Sequence, residues 1–548
     1  MYYFIKYNRF CYTVCLLVAL SLVTVSCDEE LLEEEPRGFL TPENALVTEE
    51  GFEAAVAELH RLSRGLRTSE LIEEIDDEVE GDKAITTIYA NGTDLAWFVV
   101  PSQNQFTNYA LINPTNVFVK NYWVLLYKIV NNANTILEFI PESPLEEDKK
   151  LEVEAQSRFF RAFAYRFLVH LWGDVPIVED QITSPKFDFT RAPANQVLQF
   201  IKADLEFASQ NLPEQNPGDG RLAKAAADHV LAETLIALED YDGAIAAATR
   251  VIDDPQYALM QERFGSYTNL PGDVFWDLFR SGNQNQSSGN TEAIWVWQLD
   301  FAVLNGDPEF RYARAWSPLV ERLIDSEDNR AIIPADTLGR GVGFVKPTYY
   351  LDTLIWLGDF EGDLRNSSYN MQRTFYINNP DSPEFGQAVQ PRPSDLGRNH
   401  FVYVKKAAMP EGYPQGYDRN GRVYTDIYAI RLAETYLLRA EAHLMKGDQT
   451  SATADINFVR ARAQATPATP AEVDIDYLLD ERARELVAEE PRRLTLARTN
   501  TLVERVRAFN PISGETIQEF HGLLPIPQAE IDANIEGDLR QNPGYAGG

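Results

Sequence analysis

The chain has 548 residues, 83 of them acidic against 49 basic, which gives a formal net charge of −34. A surface that negative repels phosphate backbones and argues against a nucleic-acid partner, while the length admits several domains or one large body of interleaved repeats. All three cysteines, Cys11, Cys15 and Cys27, fall in the first 27 residues, so the body beyond them has no disulfide or cysteine metal site and must be stabilised by packing.

Lys6 and Arg9 precede an apolar core, Tyr12 to Val25, that is too short to span a bilayer comfortably. Small residues then lead to Cys27, an arrangement that resembles a bacterial lipobox, although Thr24 stands where leucine is usual. Residues 1–26 are expected to be a lipoprotein signal peptide and Cys27 the lipidated first residue of the mature chain. An ordinary secretory signal cut nearby is the alternative. The run Asp28-Glu29-Glu30-Leu31-Leu32-Glu33-Glu34-Glu35 makes 27–40 a solvated acidic tether. Beside a lipidated cysteine it also resembles the export tag of Bacteroidota surface lipoproteins. No later segment is long and apolar enough to cross a membrane.

Residues 41–256 read as a helical scaffold. Thr41-Pro42-Glu43-Asn44 caps a helical region that continues to Leu66, with Phe52, Val56 and Leu59 on one face. From Ile88 to Asn116 that period is lost and Asn, Thr, Gly, Pro and aromatics collect, so 86–116 is expected to be a long ordered loop of the functional kind. Helical periodicity returns at Asn121–Ile140, Leu151–Asp180 and Asn195–Leu212.

Two helix pairs then share a pattern. In the stretch from Gly220, Ala232-Glu233 stand eight residues before Asp240, as Ala440-Glu441 stand eight before Asp448 in Ile427–Ala463; Ala244 and Ala452 each follow their Asp by four. Helix, turn and alanine-rich helix in this form resemble the tetratricopeptide repeat, whose units stack because one pair cannot bury its apolar stripe alone. Between them, 257–420 has strand-like runs at Ala293–Gln298 and His400–Val404, polar stretches such as Ser281–Asn290, and many Trp and Tyr residues. It reads as a loop- and β-rich variable part that packs on the scaffold and carries the ligand site. Residues 421–548 hold the second pair, a capped helix Asp474–Glu490, another at Leu496–Val506, and an extended tail whose prolines forbid helix. The expected fold is mostly α: tetratricopeptide-like helical hairpins with a mixed, loop-rich, partly β insertion.

The motifs, taken in order, are Trp123-x3-Tyr127-x-Ile129-x2-Asn132-x-Asn134, Arg158-x2-Arg161-Ala162-x2-Tyr165, Trp172-Gly-Asp-Val-Pro176, and Asp204-Leu205 with Leu212-Pro213. They continue as Arg431-Leu-Ala-Glu434, Arg439-Ala-Glu-Ala442, Asn457-x2-Arg460-x-Arg462, Glu481-Arg482-x2-Glu485-Leu486, Leu524-Pro-Ile-Pro527 and Gln541-Asn-Pro-Gly-Tyr545. This order resembles the SusD/RagB family from end to end of the mature chain. The resemblance implies a lipoprotein of the outer membrane that faces the cell exterior, held to the membrane through its lipid alone. It further implies capture of a glycan for a SusC-like TonB-dependent transporter, and no catalysis.

Chemistry other than binding has little to rest on. A glycoside hydrolase would need paired carboxylates, for which Glu481, Glu485, Glu489 and Glu490 are the candidates, but their interleaved arginines read as structural ion pairs. A protein-interaction scaffold is the other alternative, which the transporter partner partly absorbs. No cofactor is expected; calcium held by clustered Asp stays open, without EF-hand spacing to favour it. Sugars need ring faces beside carboxylates, amides and guanidinium groups. That chemistry nominates Asp94, Trp97 and Asn104 in the loop, and Arg280, Asn283, Arg311, Tyr312 and Trp316 in the insertion. Trp295 and Trp297, at alternating strand spacing, read as core.

Overall fold

The computed structural model describes residues 41–68, 86–99, 106–300, 303, 312–333, 338, 341–407 and 425–548. Cys27 and the tether therefore lie outside the described residues, as do Asn104 and Arg311.

Helix α1 (Glu49–Arg64) is capped by Thr48, whose hydroxyl accepts from the Gly51 N–H at 3.2 Å. It packs on α2 (Val117–Phe139) and α3 (Glu147–Trp172), and α3 packs on α4 (Ala194–Asn211). Next come the pair α5 (Lys224–Ala237) and α6 (Tyr241–Ile252) and the pair α7 (Leu432–Met445) and α8 (Gln449–Arg462). The matching aspartates do the same work in both pairs: Asp240 caps α6 through the Gly243 N–H and Asp448 caps α8 through the Ser451 N–H, each at 3.0 Å. Helix α6 packs directly on α7, so the two repeats are neighbours although the insertion separates them in sequence. Mostly helical, with few and short strands, the chain has the fold expected of it.

Several boundaries differ from the periodicity reading. Ile427–Arg431 is a strand, and the helix starts only at Leu432. The helix expected to reach Asp180 stops at Trp172, where Gly173 takes φ +75°, a backbone state that favours glycine. The helix expected over Asp474–Glu490 is α9 (Ile475–Leu486), and the one over Leu496–Val506 is two, α10 (Arg492–Arg498) and α11 (Leu502–Phe509), broken at Asn500 with φ +55°. After Pro527 the tail also holds a short helix, Gln528–Ala533.

In short antiparallel ladders, strand β1 (Ala96–Phe98) pairs with β3 (Val345–Pro347), β2 (Ala293–Trp297) with β6 (Ile427–Arg431), and β4 (Met371–Gln372) with β5 (Tyr403–Val404). Two of them, β1–β3 and β2–β6, sew the insertion on, and the third, β4–β5, lies within it. The β2–β6 ladder holds the insertion beside the point where the chain re-enters α7. Trp295 and Trp297 are buried there among Phe159, Phe160 and Phe163.

Buried ion pairs lock this joint. Glu485 on α9 accepts from Arg431 at 2.7 Å, from Arg365 at 3.1 Å and from Arg462. Glu292 on the insertion accepts from Arg431 at 2.9 Å and also from Arg462. Glu481 accepts from Arg365 and Arg460, both at 2.7 Å, and from Arg484 at 2.8 Å, while Glu489 takes Lys406 at 2.7 Å. Inside the scaffold Arg166 meets Glu233 at 2.7 Å, Arg482 meets Glu434 at 2.6 Å, and Arg498 meets Glu441 at 2.5 Å. Burial alone would raise these carboxyls, but the guanidinium groups outweigh it: Glu481 is held at about 2 by Arg365, Arg484 and Arg460, and Glu434 at about 2 by His229 and Arg482.

The sequence motifs are fastenings of the same kind. Arg161 donates to Asp204 at 2.8 Å and to Asn134 at 2.8 Å, and the Tyr127 hydroxyl donates to Pro176 O at 2.8 Å. Trp172 Nε1 donates to Pro525 O at 2.9 Å while Asn542 Nδ2 returns to Trp172 O at 2.9 Å. The proline-rich tail thus clamps the turn that ends α3.

Two outcomes follow. Glu485→Gln leaves Arg365, Arg431 and Arg462 short of buried negative charge and should lower unfolding stability by about 3–5 kcal/mol, read by urea titration. An unchanged midpoint would contradict the joint's role. Acid should act in two stages. Burial holds His60 at about 4 and His170 at about 3, so only the unfolded chain gains these protons as pH falls below about 6.5, and stability drops. Glu434 and Glu481 add a second loss below about 4.5, complete near their folded values of about 2. Thermal scans from pH 7 to pH 3 should show the melting temperature falling from about pH 6.5 and more steeply below about 4.5.

Candidate ligand-binding face

The segment Asn91–Phe98 is built as a bracket. Gly92 takes φ +72° with the Phe106 carbonyl where a Cβ would sit, at 1.8 Å, so only glycine fits. Thr107 Oγ1 donates to Asn91 Oδ1 at 2.8 Å and accepts from Phe98 N–H at 2.8 Å. Asn510 Nδ2 donates to Thr93 O at 2.7 Å and to Ala96 O at 3.1 Å, and Thr348 Oγ1 donates to Asp94 O at 2.7 Å. The loop is thereby held by its own far end and from two distant parts of the chain.

Asp94 is the centre of the bracket and is fully buried. Its carboxylate accepts from Arg492 Nη2 at 2.6 Å and from Arg505 Nε at 2.9 Å. Burial pushes the carboxyl up, and the two arginines more than reverse it, so it stays below the ordinary carboxylate range. A residue spent this way has no oxygen left for a ligand, which corrects the expectation for Asp94: it positions the loop.

Trp97 is different. Along β1 the burial alternates, Ala96 and Phe98 in and Trp97 half out; along β3 Val345 and Pro347 are in and Lys346 half out. The register sets Trp97 opposite Lys346, whose Nζ lies 5.6 Å from the indole centroid. Phe344, also half-buried, lies just before β3; it stacks on Phe98 at 5.1 Å and carries the Arg398 guanidinium 4.5 Å from its ring centre. The outer side of the β1–β3 ladder is therefore an aromatic shelf, Trp97, edged by Lys346, with Arg398 at the neighbouring Phe344.

The remaining nominated residues do not join it. Arg280 is buried, stacked 4.7 Å from the Tyr267 ring and 3.8 Å from Asp277. Asn283 is fully buried, donating to Asp277 O at 2.9 Å and accepting from Ser266 N–H at 3.2 Å. Both hold a turn together, and neither reaches a surface. Trp316 is fully buried at the end of the short helix Tyr312–Trp316, so its ring is core. Tyr312 opens that helix. Lys346, Phe344 and Arg398 were missed; the alternation of Phe344 and Lys346 before Pro347 was their only local trace.

A deeper cleft of about 620 Å³ lies between α1, the start of α3, residues 219–221 and the end of β2, and shares no residue with the shelf. Its charges largely satisfy one another, Lys149 with Glu53 at 3.3 Å and Arg61 with Glu58 at 2.8 Å. Its one tryptophan, Trp297, is 5% exposed and bonded to Ser63. Size favours the cleft, but it offers no open ring face, so the shelf is the better candidate for a sugar. Among the described residues no group of three His, Cys, Asp or Glu side chains is placed to hold a metal ion.

Comparison with known proteins adds an independent line. Residues 361–545 match the family model described as the SusD family, and residues 67–234 match one described as starch-binding associating with outer membrane. SusD-like protein P25 of Formosa agariphila is 25% identical, covering 95% of this chain and 97% of that protein. The starch-binding protein SusD of Bacteroides thetaiotaomicron is 36% identical over 125 residues, 22% of each chain. Among solved structures, surface glycan-binding protein A of Bacteroides thetaiotaomicron in complex with laminarihexaose superposes with a TM-score of 0.69 at 21% identity, covering 90% of this chain and all of that one. Two family models on separate stretches and relatives along nearly its full length support the SusD/RagB family for this chain.

Proposed function

We propose that the protein is a lipid-anchored lipoprotein on the outer face of the outer membrane that captures a glycan and delivers it to a SusC-like TonB-dependent transporter without cleaving it. The observation that carries this reading is Trp97, a half-exposed ring on a ladder whose backbone is fixed by buried groups. A rigid ring face stacks on the C–H face of a sugar with little ordering to lose. The relatives support the ligand class by name, since they are called starch-binding and laminarin binding. The anchor rests on Cys27 and the acidic run after it; no described helix is long and apolar enough to cross a membrane. Transfer to a transporter rests on the family alone.

Hydrolysis is disfavoured by the fate of the carboxylates it would use. Glu481 and Glu485 are fully buried and enclosed by arginines. A general acid must hold a proton near neutral pH and reach the glycosidic oxygen. These groups do neither.

In affinity gels with the form beginning at Asp28, Trp97→Ala should weaken retention by retained polysaccharides about tenfold or more while circular dichroism and melting stay unchanged. Retention equal to the parent would overturn the reading, and release of reducing ends would replace it with hydrolysis. Asp94→Ala should behave oppositely, losing about 3–5 kcal/mol of stability because Arg492 and Arg505 stay buried without their partner.

A further inference from the structure

Many buried guanidinium groups of this protein are answered by a carboxylate: Arg161 by Asp204, Arg166 by Glu233, Arg431 by Glu485, Arg482 by Glu490, Arg505 by Asp94. Lys346 beside Trp97, and Arg398 over Phe344, are held differently. Lys346 Nζ donates only to the Leu396 carbonyl, and Arg398 Nε only to the Val342 carbonyl. Exposed Arg322 lies close enough to Arg398 to depress it further. None of the three forms an ion pair with a carboxylate among the described residues. The carboxylates nearby are engaged elsewhere: Asp352 accepts from Arg373 at 2.8 Å, and Asp395 accepts from the backbone N–H of Arg392 at 2.9 Å.

Lys346 and Arg398, with Arg322 near the latter, are cations without an ion pair among the described residues, in a chain of net charge −34. Burial pushes both Lys346 and Arg398 below their ordinary ranges; Asp352 offsets this only in part for Lys346, and Arg322 adds to it for Arg398. Screening confines their effect to about 10 Å, which is also why the distant negative charge of the rest of the surface does not cancel it.

We infer that the shelf takes a glycan carrying fixed negative charge, a carboxylate or a sulfate ester, with a sugar ring on Trp97 and its anionic group at Lys346 and Arg398. The inference rests on the capture reading above and names its ligand class. Guanidinium and ammonium groups bind such anions by charge-assisted hydrogen bonds, the stronger kind, and the half-buried setting strengthens them further.

The test uses the form beginning at Asp28 in affinity gels against three classes of polymer. Laminarin and dextran are the neutral probes, alginate and polygalacturonate the carboxylated ones, carrageenan and dextran sulfate the sulfated ones. The expected result is retention by at least one carboxylated or sulfated polymer, weakened by raised salt and weakened about tenfold by Lys346→Gln or Arg398→Gln, with Lys346→Arg close to the parent. Which class retains the protein separates the carboxylate from the sulfate ester. If neutral polymers alone are retained, with Trp97→Ala abolishing and Lys346→Gln sparing it, this inference falls and capture stands. If anionic polymers are retained equally by the Lys346→Gln, Arg398→Gln double variant, the anion sits elsewhere and the inference also falls. Retention by no polymer overturns both.

Discussion

The structure depends on the rule that a buried carboxylate must be met by a guanidinium, applied many times across one joint. The insertion and the scaffold meet where Glu292, Glu481 and Glu485 face Arg365, Arg431, Arg460 and Arg462. Such pairs add little net stability over well-packed apolar residues, but removing one partner is severely destabilising. They act as pins of register: the insertion has one seat on the scaffold, because any other would strand a charge in the interior. With the cysteines confined to the first 27 residues, no disulfide could do this in the body of the chain.

From that seat the site follows. Helices α10 and α11 supply Arg492 and Arg505, and Asn510 follows α11; together they hold the loop of β1, while the insertion supplies β3, Thr348 and Lys346 on the other side. The ladder can form only when insertion and scaffold are docked, so the binding face is a product of the joint. Alternation along two three-residue strands then turns Trp97 and Lys346 outward together. Rigidity of this kind lowers the ordering lost when a polymer binds.

The helical scaffold was legible because its apolar residues recur at steps of three and four and its turns carry capping aspartates at matching places. What failed was local. Ile427–Ile430 is apolar and adjoins an alanine-rich helix, so periodicity could not tell the strand from the helix that follows. The break at Asn500 is a single backbone torsion. The family pattern was legible for a further reason: its motif residues, Arg161, Asp204, Trp172, Asn542, Glu481 and Glu485, prove to be interior fastenings with specific partners. The site was the least legible part. Composition nominates Asp94, Arg280 and Asn283 as well as Trp97, yet the partners that bury Asp94 stand 398 and 411 positions away. No local reading of residues reaches that far. Lys346 went unnoticed because a lone lysine in a polar stretch carries no mark until its neighbours lack a carboxylate.

The central claim is that a glycan lies on the outer face of the β1–β3 ladder. Hydrogen–deuterium exchange with and without a retained polysaccharide tests it most directly. The account predicts added protection over 91–99 and 342–348; protection confined instead to α1 and residues 219–221, where the larger cleft lies, would contradict it.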